Sequence, residues 1–149
     1  MQKIEVRPLS PADRDAWSSL WAQYLTFYKK ELPIDVTTMT WQRFHDPAVP
    51  IFAMGAFADG RLVGIVHYLL HYSCWTSGPY CYLQDLYVES AARRQGVGGE
   101  LIESVYESAR SHGANRVYWL THETNADTKA LYDRIAERTG FVQYRKMLE

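Results

Sequence analysis

The sequence has no apolar run long enough to cross a bilayer and almost no cysteine. A membrane-spanning helix needs about 20 consecutive apolar residues, and no stretch of the 149-residue chain approaches that length. Only Cys74 and Cys81 occur, in a chain too large to need disulfide cross-links. The first residues also lack the charged, apolar and small-residue zones of a signal peptide. Together these absences predict a cytoplasmic protein with no membrane contact.

The chain also lacks an excess of either charge. Sixteen Lys and Arg balance seventeen Asp and Glu, which leaves a net charge of -1. Because nucleic-acid-binding domains usually carry a basic surplus, this balance disfavours nucleic acid as a partner. No repeat, linker or low-complexity segment interrupts the chain, and its 47% hydrophobic content suffices for one core. We therefore expect a single domain over residues 1–149.

The spacing of apolar residues predicts alternating strands and helices. Ser10, Pro11 and Asp13 have the order of a helix N-cap, a first helical position and a capping acid. Asp59-Gly60 separates two apolar runs, as in a tight hairpin. The predicted strands are 3–9, 51–58, 61–73, 80–89, 115–121 and 141–148, and the predicted helical stretches are 11–28, 37–47, 96–113 and 125–140. The order β-α-α-β-β-β-α-β-α-β predicts a mixed α/β fold.

A glycine-rich, basic loop stands between the strand at 80–89 and the helix that follows it. The glycines at 96, 98 and 99 let the backbone turn and leave its amide groups uncovered. Because a helix N-terminus attracts anions, and Arg93 and Arg94 add positive charge, the loop is a candidate phosphate site. It matches neither a P-loop nor the dinucleotide-binding glycine pattern. A plain turn with a solvated basic patch is the alternative interpretation.

Two motifs in this order resemble the GNAT superfamily of N-acetyltransferases. The first is the superfamily's Arg/Gln-x-x-Gly-x-Gly/Ala signature, here Arg93-Arg94-Gln95-Gly96-Val97-Gly98. The second is an Asn followed by a helix with a Tyr and a closing Gly-Phe, here Asn125, Tyr132 and Gly140-Phe141. The resemblance covers essentially the whole chain and is strongest over 81–141. It implies a central, mostly antiparallel sheet with a splayed strand pair and about four flanking helices.

The resemblance also implies roles for individual residues. The loop amides from Arg93 to Gly99 would hold the pyrophosphate of coenzyme A, and the strand residues Leu86, Tyr87 and Val88 would pair with its pantetheine arm and the acetyl carbonyl. Asn125 would steady the pantetheine, with Lys129 on the same helix face. The Tyr132 hydroxyl would protonate the leaving thiolate. No metal is implied.

The sequence departs from the family pattern at two places. Seven residues separate Tyr132 from Gly140, which predicts about one additional helical turn of ~3.6 residues. Some members place a Glu-Asp pair before the coenzyme loop, where this chain has Gln84 and Asp85. Strand alternation predicts that these two side chains point to opposite faces. We therefore expect deprotonation of the amine through ordered water, with Asp85, His122 and Glu123 as candidate termini and none strongly preferred; Asp85 is the catalytic candidate beside Tyr132.

The function predicted from the resemblance is transfer of acetyl from acetyl-CoA to a primary amine by direct attack in a ternary complex. An acyl-CoA-binding sensor without turnover is the alternative, and Tyr132 favours the enzyme because a sensor needs no acid. The acceptor stays open among small amines, amino acids, peptides and protein lysines, and a homodimer is possible. The first two predicted helices carry aromatic candidates for either a pocket wall or the core, namely Tyr24, Phe27, Tyr28, Trp41 and Phe44.

Two further hypotheses rest on weaker patterns. His67 and His71 lie on one side of a predicted strand, and Cys74 and Cys81 are close to them in sequence, which makes a metal site conceivable, although the spacing matches no zinc pattern. A cysteine that carries the acetyl group is also conceivable. No His-Asp pair is positioned around either cysteine by the sequence, so this hypothesis is disfavoured.

Overall fold

The computed structural model describes residues 3–122 and 125–148. In it the chain divides into two units, Met1–Trp119 and Leu120–Glu149. The first unit contains the whole β-sheet and three helices, and the second contains one helix.

Five strands form one sheet in the order in which they occur along the chain. They are β1 (Ile4–Pro8), β2 (Ile51–Ala58), β3 (Arg61–His71), β4 (Tyr80–Val88) and β5 (Val117–Tyr118). The first four pair antiparallel with their neighbours, and β5 pairs parallel with β4. The mixed, mostly antiparallel sheet predicted from the sequence is confirmed. The hairpin is also confirmed, because Asp59 and Gly60 both have positive φ, as a tight β2–β3 turn requires.

Helices cover both faces of the sheet in the first unit. Its helices are α1 (Arg14–Phe27), α2 (Ile34–Phe44) and α3 (Val97–Ser111), and α4 (Ala126–Ile135) belongs to the second unit. Ile65 of β3 belongs to the buried cluster formed with α1 and α2. A side chain at Gly64 would instead meet Val97 and Leu101 of α3. Because neighbouring strand residues face opposite sides, α3 lies on the other face from α1 and α2.

The core between the sheet and α1 and α2 is rich in aromatic rings. Trp17 is 0% exposed and packs against Trp41 and Phe44, with ring centroids 4.9 and 5.7 Å away. The other buried members of this cluster are Leu9, Leu20, Trp21, Ala53, Phe57, Leu62 and Ile65. Trp17, Leu20 and Trp21 thus form the core face of α1. Of the pocket candidates, Trp41 is core, whereas Phe27 and Tyr28 are mostly exposed.

A carboxylate connects the end of β1 to the start of α1. The short 3₁₀ turn Pro11–Asp13 precedes α1, and the Ser10 N–H donates to the Asp13 carboxylate at 2.7 Å. The Arg7 guanidinium donates to both Asp13 oxygens, at 2.8 and 3.2 Å. These hydrogen bonds, first that from Arg7, lower the pKa of Asp13 to about 2. The predicted capping acid is thus confirmed and is also the partner of a bidentate ion pair.

Four predicted elements differ from the observed ones, since the helix predicted at 37–47 is α2 at Ile34–Phe44. The strand expected at 115–121 is only Val117–Tyr118. The helix expected to continue to residue 140 ends at Ile135, where Ala136 is extended, so the predicted additional turn is wrong. Close to that end, Thr139 accepts a hydrogen bond from the Phe141 N–H, a local turn that competes with helix.

The strand expected at 141–148 is also wrong. These residues have no regular secondary structure, and the described part of their own unit contains no strand that could pair with them. An alternating pattern predicts a strand only where a ladder partner exists, because strand amides need hydrogen bonds. Among the described residues, no helix is both long and apolar enough to cross a membrane.

Replacing Asp13 with Asn tests the connection between β1 and α1. The variant loses the charged acceptor, so at pH 7 its free energy of unfolding should fall by about 1–2 kcal/mol. Because folding lowers the pKa of Asp13, its stabilisation is present above the ordinary carboxyl pKa of 3.8 and is lost as the pH falls towards about 2. Urea unfolding should therefore show the two proteins converging over that range.

Asp15→Asn is the matched control, because Asp15 is an exposed acid in the first turn of the same helix. Its effect at pH 7 should stay below about 0.5 kcal/mol. Equal losses for the two variants would contradict the account of Asp13.

Candidate active site

The glycine-rich loop runs directly into the start of α3. Arg94 has a φ of 65° and Gly96, the N-cap residue of α3, a φ of 81°. Arg93, Arg94, Gln95 and Gly96 are exposed. The first amides of a helix have no intrahelical acceptor, so those of Val97, Gly98 and Gly99 are available to an anion.

The space beside this loop suits a ligand that approaches the backbone. A side chain built at Gly96, Gly98 or Gly99 would meet no other protein atom within 4 Å. The start of the helix is nevertheless firmly held, because Val97 and Leu101 are buried against β3 at Gly64. The loop thus combines a fixed position with an open, basic surface.

Strand β4 leads into this loop with one edge uncovered. Its residues Leu86 to Val88 pair with Gly64 to Val66 of β3. On the other side β5 pairs only with Cys81 and Tyr82, so from Leu83 onwards this edge has no strand partner in the described part of the first unit. The Arg93 side chain donates to the Val88 carbonyl at 2.9 Å and lies over the Tyr87 ring. An extended ligand with amide groups could pair along such an edge.

A β-bulge determines where Asp85 points. The β3–β4 register shifts so that His67 opposes Asp85 whereas Tyr68 opposes Leu83, which leaves Gln84 as the additional residue. Gln84 is exposed and the Asp85 side chain is only 15% exposed. Bulges frequently reorient a side chain next to an active site. Here the bulge places Asp85 on the sheet face that α1 covers.

Asp85 belongs to a buried chain of hydrogen bonds. The Trp17 indole N–H donates to His67 Nε2 at 2.9 Å. His67 Nδ1 lies 3.0 Å from one Asp85 oxygen, and the Tyr24 hydroxyl donates to the other at 2.8 Å. His67 is 3% exposed. A single carboxylate is thus held by an imidazole and a phenol in an apolar setting.

The environment of Tyr24 keeps its hydroxyl protonated. Burial raises the pKa of Tyr24 well above the ordinary phenol value, and the Asp85 charge raises it further. Tyr24 therefore acts as a hydrogen-bond donor to Asp85 and not as a base. The rings of Tyr28 and Tyr87 lie 4.9 and 6.1 Å from the Tyr24 ring. We call Tyr24, Tyr28 and Tyr87 the tyrosine patch.

The second unit carries the other predicted site residues on α4. Asn125 is the N-cap residue of α4, and its carbonyl accepts from the Lys129 N–H at 3.1 Å. Tyr132 lies two turns further along and is partly buried, as is Lys129. The three therefore share a helix face, as their spacing predicts. His122 precedes the helix and is exposed, and Glu123 lies outside the described residues.

The two weaker hypotheses find no support. The His71 ring contacts the Tyr118 hydroxyl and the Tyr72 carbonyl, whereas His67 contacts Trp17 and Asp85. Within residues 3–122 and 125–148, no group of three or more His, Cys, Asp or Glu is arranged to hold a metal ion. Burial raises the pKa of the Cys81 thiol to about 11, which suppresses the nucleophilic thiolate. Cys74 is exposed.

Sequence reasoning found Asp85 but missed the residues that hold it. From the sequence alone, Trp17 had no assigned role within its predicted helix, Tyr24 was one of five candidates for a pocket wall or the core, and His67 was one of two histidines on a predicted strand. The bulge that brings His67 opposite Asp85 has no signal in the local sequence. The available hint was that His67 lies within a continuous apolar run, which is typical of a buried strand.

Comparisons with known proteins agree with the two motifs. The Acetyltransferase (GNAT) family model matches residues 14–136. A D-amino-acid N-acetyltransferase of Saccharomyces cerevisiae is 39% identical over 146 residues, covering 97% of this chain and 91% of the relative. A thialysine N-epsilon-acetyltransferase of Caenorhabditis elegans is 26% identical, covering 91% and 83% of the two chains. The structure of an aminoglycoside N-acetyltransferase in complex with CoA, 18% identical, has the same fold, with a TM-score of 0.84 over 99% of this chain and 96% of that one.

Proposed function

The chain belongs to the GNAT family and is an N-acetyltransferase that uses acetyl-CoA, and we propose that its acceptor is the primary amine of a free amino acid. The 39% identical relative is named for D-amino acids, and it matches almost the whole of this chain. The second relative is named for thialysine, which is also an amino acid. This shared acceptor class carries the proposal. A single domain, a homodimer and a cytoplasmic location stay predictions of the sequence.

The surface around Asp85 supports a small cationic acceptor. An amine of pKa ~10 arrives as an ammonium ion at neutral pH, so a carboxylate attracts it. The faces of aromatic rings also attract cations, and the tyrosine patch lies beside this carboxylate, with Tyr28 56% exposed. Asp85 and the tyrosine patch therefore both favour a positively charged acceptor.

The loop and the edge of β4 support the donor side of the proposal. The open backbone at Gly96, Gly98 and Gly99 accommodates phosphate oxygens, and Arg93 and Arg94 add charge. Leu86, Tyr87 and Val88 lie on the strand edge that, in the described part of the first unit, has no strand partner beyond Tyr82. Their amides are the proposed partners of the pantetheine arm and the acetyl carbonyl, and Asn125 and Lys129 are assigned to the coenzyme on the resemblance alone.

The proposed reaction needs one proton acceptor and one proton donor. Asp85 takes a proton from the ammonium group, directly or through water, and so frees the nitrogen lone pair. The nitrogen attacks the thioester carbonyl carbon, the C–N bond forms, and the C–S bond breaks. In the role that the resemblance gives it, Tyr132 donates its hydroxyl proton to the departing thiolate and is reprotonated by the second proton that the nitrogen loses as the amide forms. The products are the N-acetylated acceptor, free coenzyme A and the proton taken up by Asp85, which is released to solvent.

The acceptor class is tested by release of free thiol from acetyl-CoA with a panel of amines. The panel contains D- and L-amino acids, thialysine, short diamines, a lysine-containing peptide and an aminoglycoside. We expect the highest kcat/KM with a free amino acid. A peptide or aminoglycoside as the best acceptor would contradict the proposed class. Coenzyme A binding without turnover on any amine would favour the sensor interpretation.

Replacing Gly98 with Glu tests the phosphate site. The added side chain would occupy open space beside the first amides of α3 and repel phosphate, while an acid in a first turn suits the helix dipole. Calorimetry should show the affinity for coenzyme A falling roughly tenfold or more, with the fold intact. Ser111→Glu adds the same charge about 20 Å further along α3 and should change little. Wild-type affinity in the Gly98 variant would exclude this loop as the phosphate site.

Replacing Tyr132 with Phe tests the proposed acid. The ring is kept and only the donor is removed, so the KM for acetyl-CoA should change little while kcat falls by roughly 10²–10⁴. Tyr144→Phe is the control, because Tyr144 is an exposed tyrosine of the same unit. An unchanged kcat with a good acceptor would make Tyr132 a structural residue.

A further inference from the structure

We infer that Trp17 and His67 are positioning residues that orient Asp85 for proton transfer, and that Trp17 does so by keeping His67 uncharged. The inference rests on the function proposed above, in which Asp85 accepts the proton of the acceptor amine. Neither residue touches the reacting atoms in this account. Both act through the carboxylate.

The chemistry of the three groups fixes where the protons lie. An indole N–H only donates, so His67 Nε2, 2.9 Å from it, accepts with its lone pair. The ring proton of His67 is therefore on Nδ1, 3.0 Å from the Asp85 oxygen. A second proton on Nε2 would place two N–H groups against each other in a buried site. The Trp17 hydrogen bond thus selects one tautomer of a neutral imidazole.

A neutral His67 leaves Asp85 able to take up a proton. If His67 became an imidazolium, it would form an ion pair with Asp85, and an adjacent positive charge disfavours protonation of a carboxylate. Asp85 receives one donor on each oxygen, from His67 and from Tyr24. A carboxylate has about four lone-pair positions, so two are left for the incoming proton. The remaining 15% exposure of its side chain gives access to them.

The other titratable groups around this carboxylate come from α1, α2 and β4. Tyr24 of α1 and Tyr82 of β4 interact with the Asp85 charge, and burial raises the pKa of both tyrosines above the ordinary phenol value of 10.0. From α2, Phe44 packs on His67, and His45 lies against Trp41. His45 is exposed at the C-terminal end of α2. His45 is present in the wild type and in both tryptophan variants, so any effect of its charge is common to the proteins compared.

Trp21 provides a matched control for Trp17. It lies one turn further along α1, is also buried, and packs on His67 and Tyr24 with ring centroids 5.0 and 5.3 Å away. Its indole N–H has no hydrogen-bond partner among the described residues. Trp→Phe at either position therefore removes similar packing beside the same groups. Only the change at Trp17 removes the donor that faces His67.

The test measures kcat/KM for a good acceptor from about pH 5.5 to 9 in the wild type, Trp17→Phe and Trp21→Phe. Dividing each variant by the wild type cancels the ionisation of the amine itself. For Trp17→Phe this ratio should fall by up to about tenfold per pH unit as the pH is lowered, because without the indole donor His67 Nε2 can take up a proton, and the resulting imidazolium would pair with Asp85. The ratio for Trp21→Phe should not change with pH. A flat ratio for both variants would overturn the inference.

Substitutions of His67 give a second test. His67→Asn keeps an N–H donor for Asp85, whereas His67→Leu removes it. We expect the Leu variant to lose up to about 100-fold more kcat than the Asn variant, with coenzyme A affinity unchanged in both. Equal losses would mean that the donor does not matter and would also overturn the inference. If the Leu variant does not fold, the pH comparison of the two tryptophan variants decides.

Asp85→Asn separates this inference from the function on which it rests. A wild-type kcat in that variant would mean that Asp85 is not the proton acceptor, and the proposed function would then need another base. A large loss at Asp85, together with a flat ratio for Trp17→Phe, would leave the proposed base in place and reject only the roles of Trp17 and His67.

Discussion

The indole N–H of Trp17 and the Nε2 lone pair of His67 form the contact on which the geometry of the site depends. It joins the first helix to the centre of the sheet inside an aromatic core, where leaving either group unpaired costs about 1–3 kcal/mol. Together with the buried Leu20 and Trp21, the contact holds one face of α1 towards the sheet. Tyr24, two turns along the same face, then reaches the oxygen of Asp85 that His67 does not occupy. The packing that stabilises the fold thus also orients the carboxylate.

The other face of the sheet determines the position of the glycine-rich loop. Gly64 lets α3 pack closely on β3, because a side chain there would come within 3.1–3.3 Å of Leu101, Val97 and the Tyr87 carbonyl. Strand β4 connects the two faces. It carries Asp85 towards α1 and then runs on to the loop that begins α3. A proton acceptor and a candidate phosphate site are therefore held by one strand, each supported by a separate layer of helices.

Local signals in the sequence predicted the parts of this arrangement that depend on neighbouring residues. The Asp59-Gly60 hairpin, the Asp13 cap and the glycine-rich start of α3 all belong to this group. Contacts between distant residues were not predictable. Trp17 and His67 are separated by 50 positions, Tyr24 and Asp85 by 61, and the bulge at Gln84 depends on a register that no short window contains. The strand prediction for residues 141–148 was wrong for the opposite reason: their alternating pattern is typical of a strand, but the residues described in their unit include no strand to pair with them.

The state of the His67 ring tests the central claim most directly. A two-dimensional ¹H–¹⁵N correlation of the histidine side chains, recorded between roughly pH 5.5 and 9, reports which ring nitrogen carries the proton and whether the ring becomes charged. The account predicts that His67 carries its proton on Nδ1 and that Nε2 stays the acceptor of the Trp17 indole N–H. A proton on Nε2, or conversion to an imidazolium within the range, would contradict it.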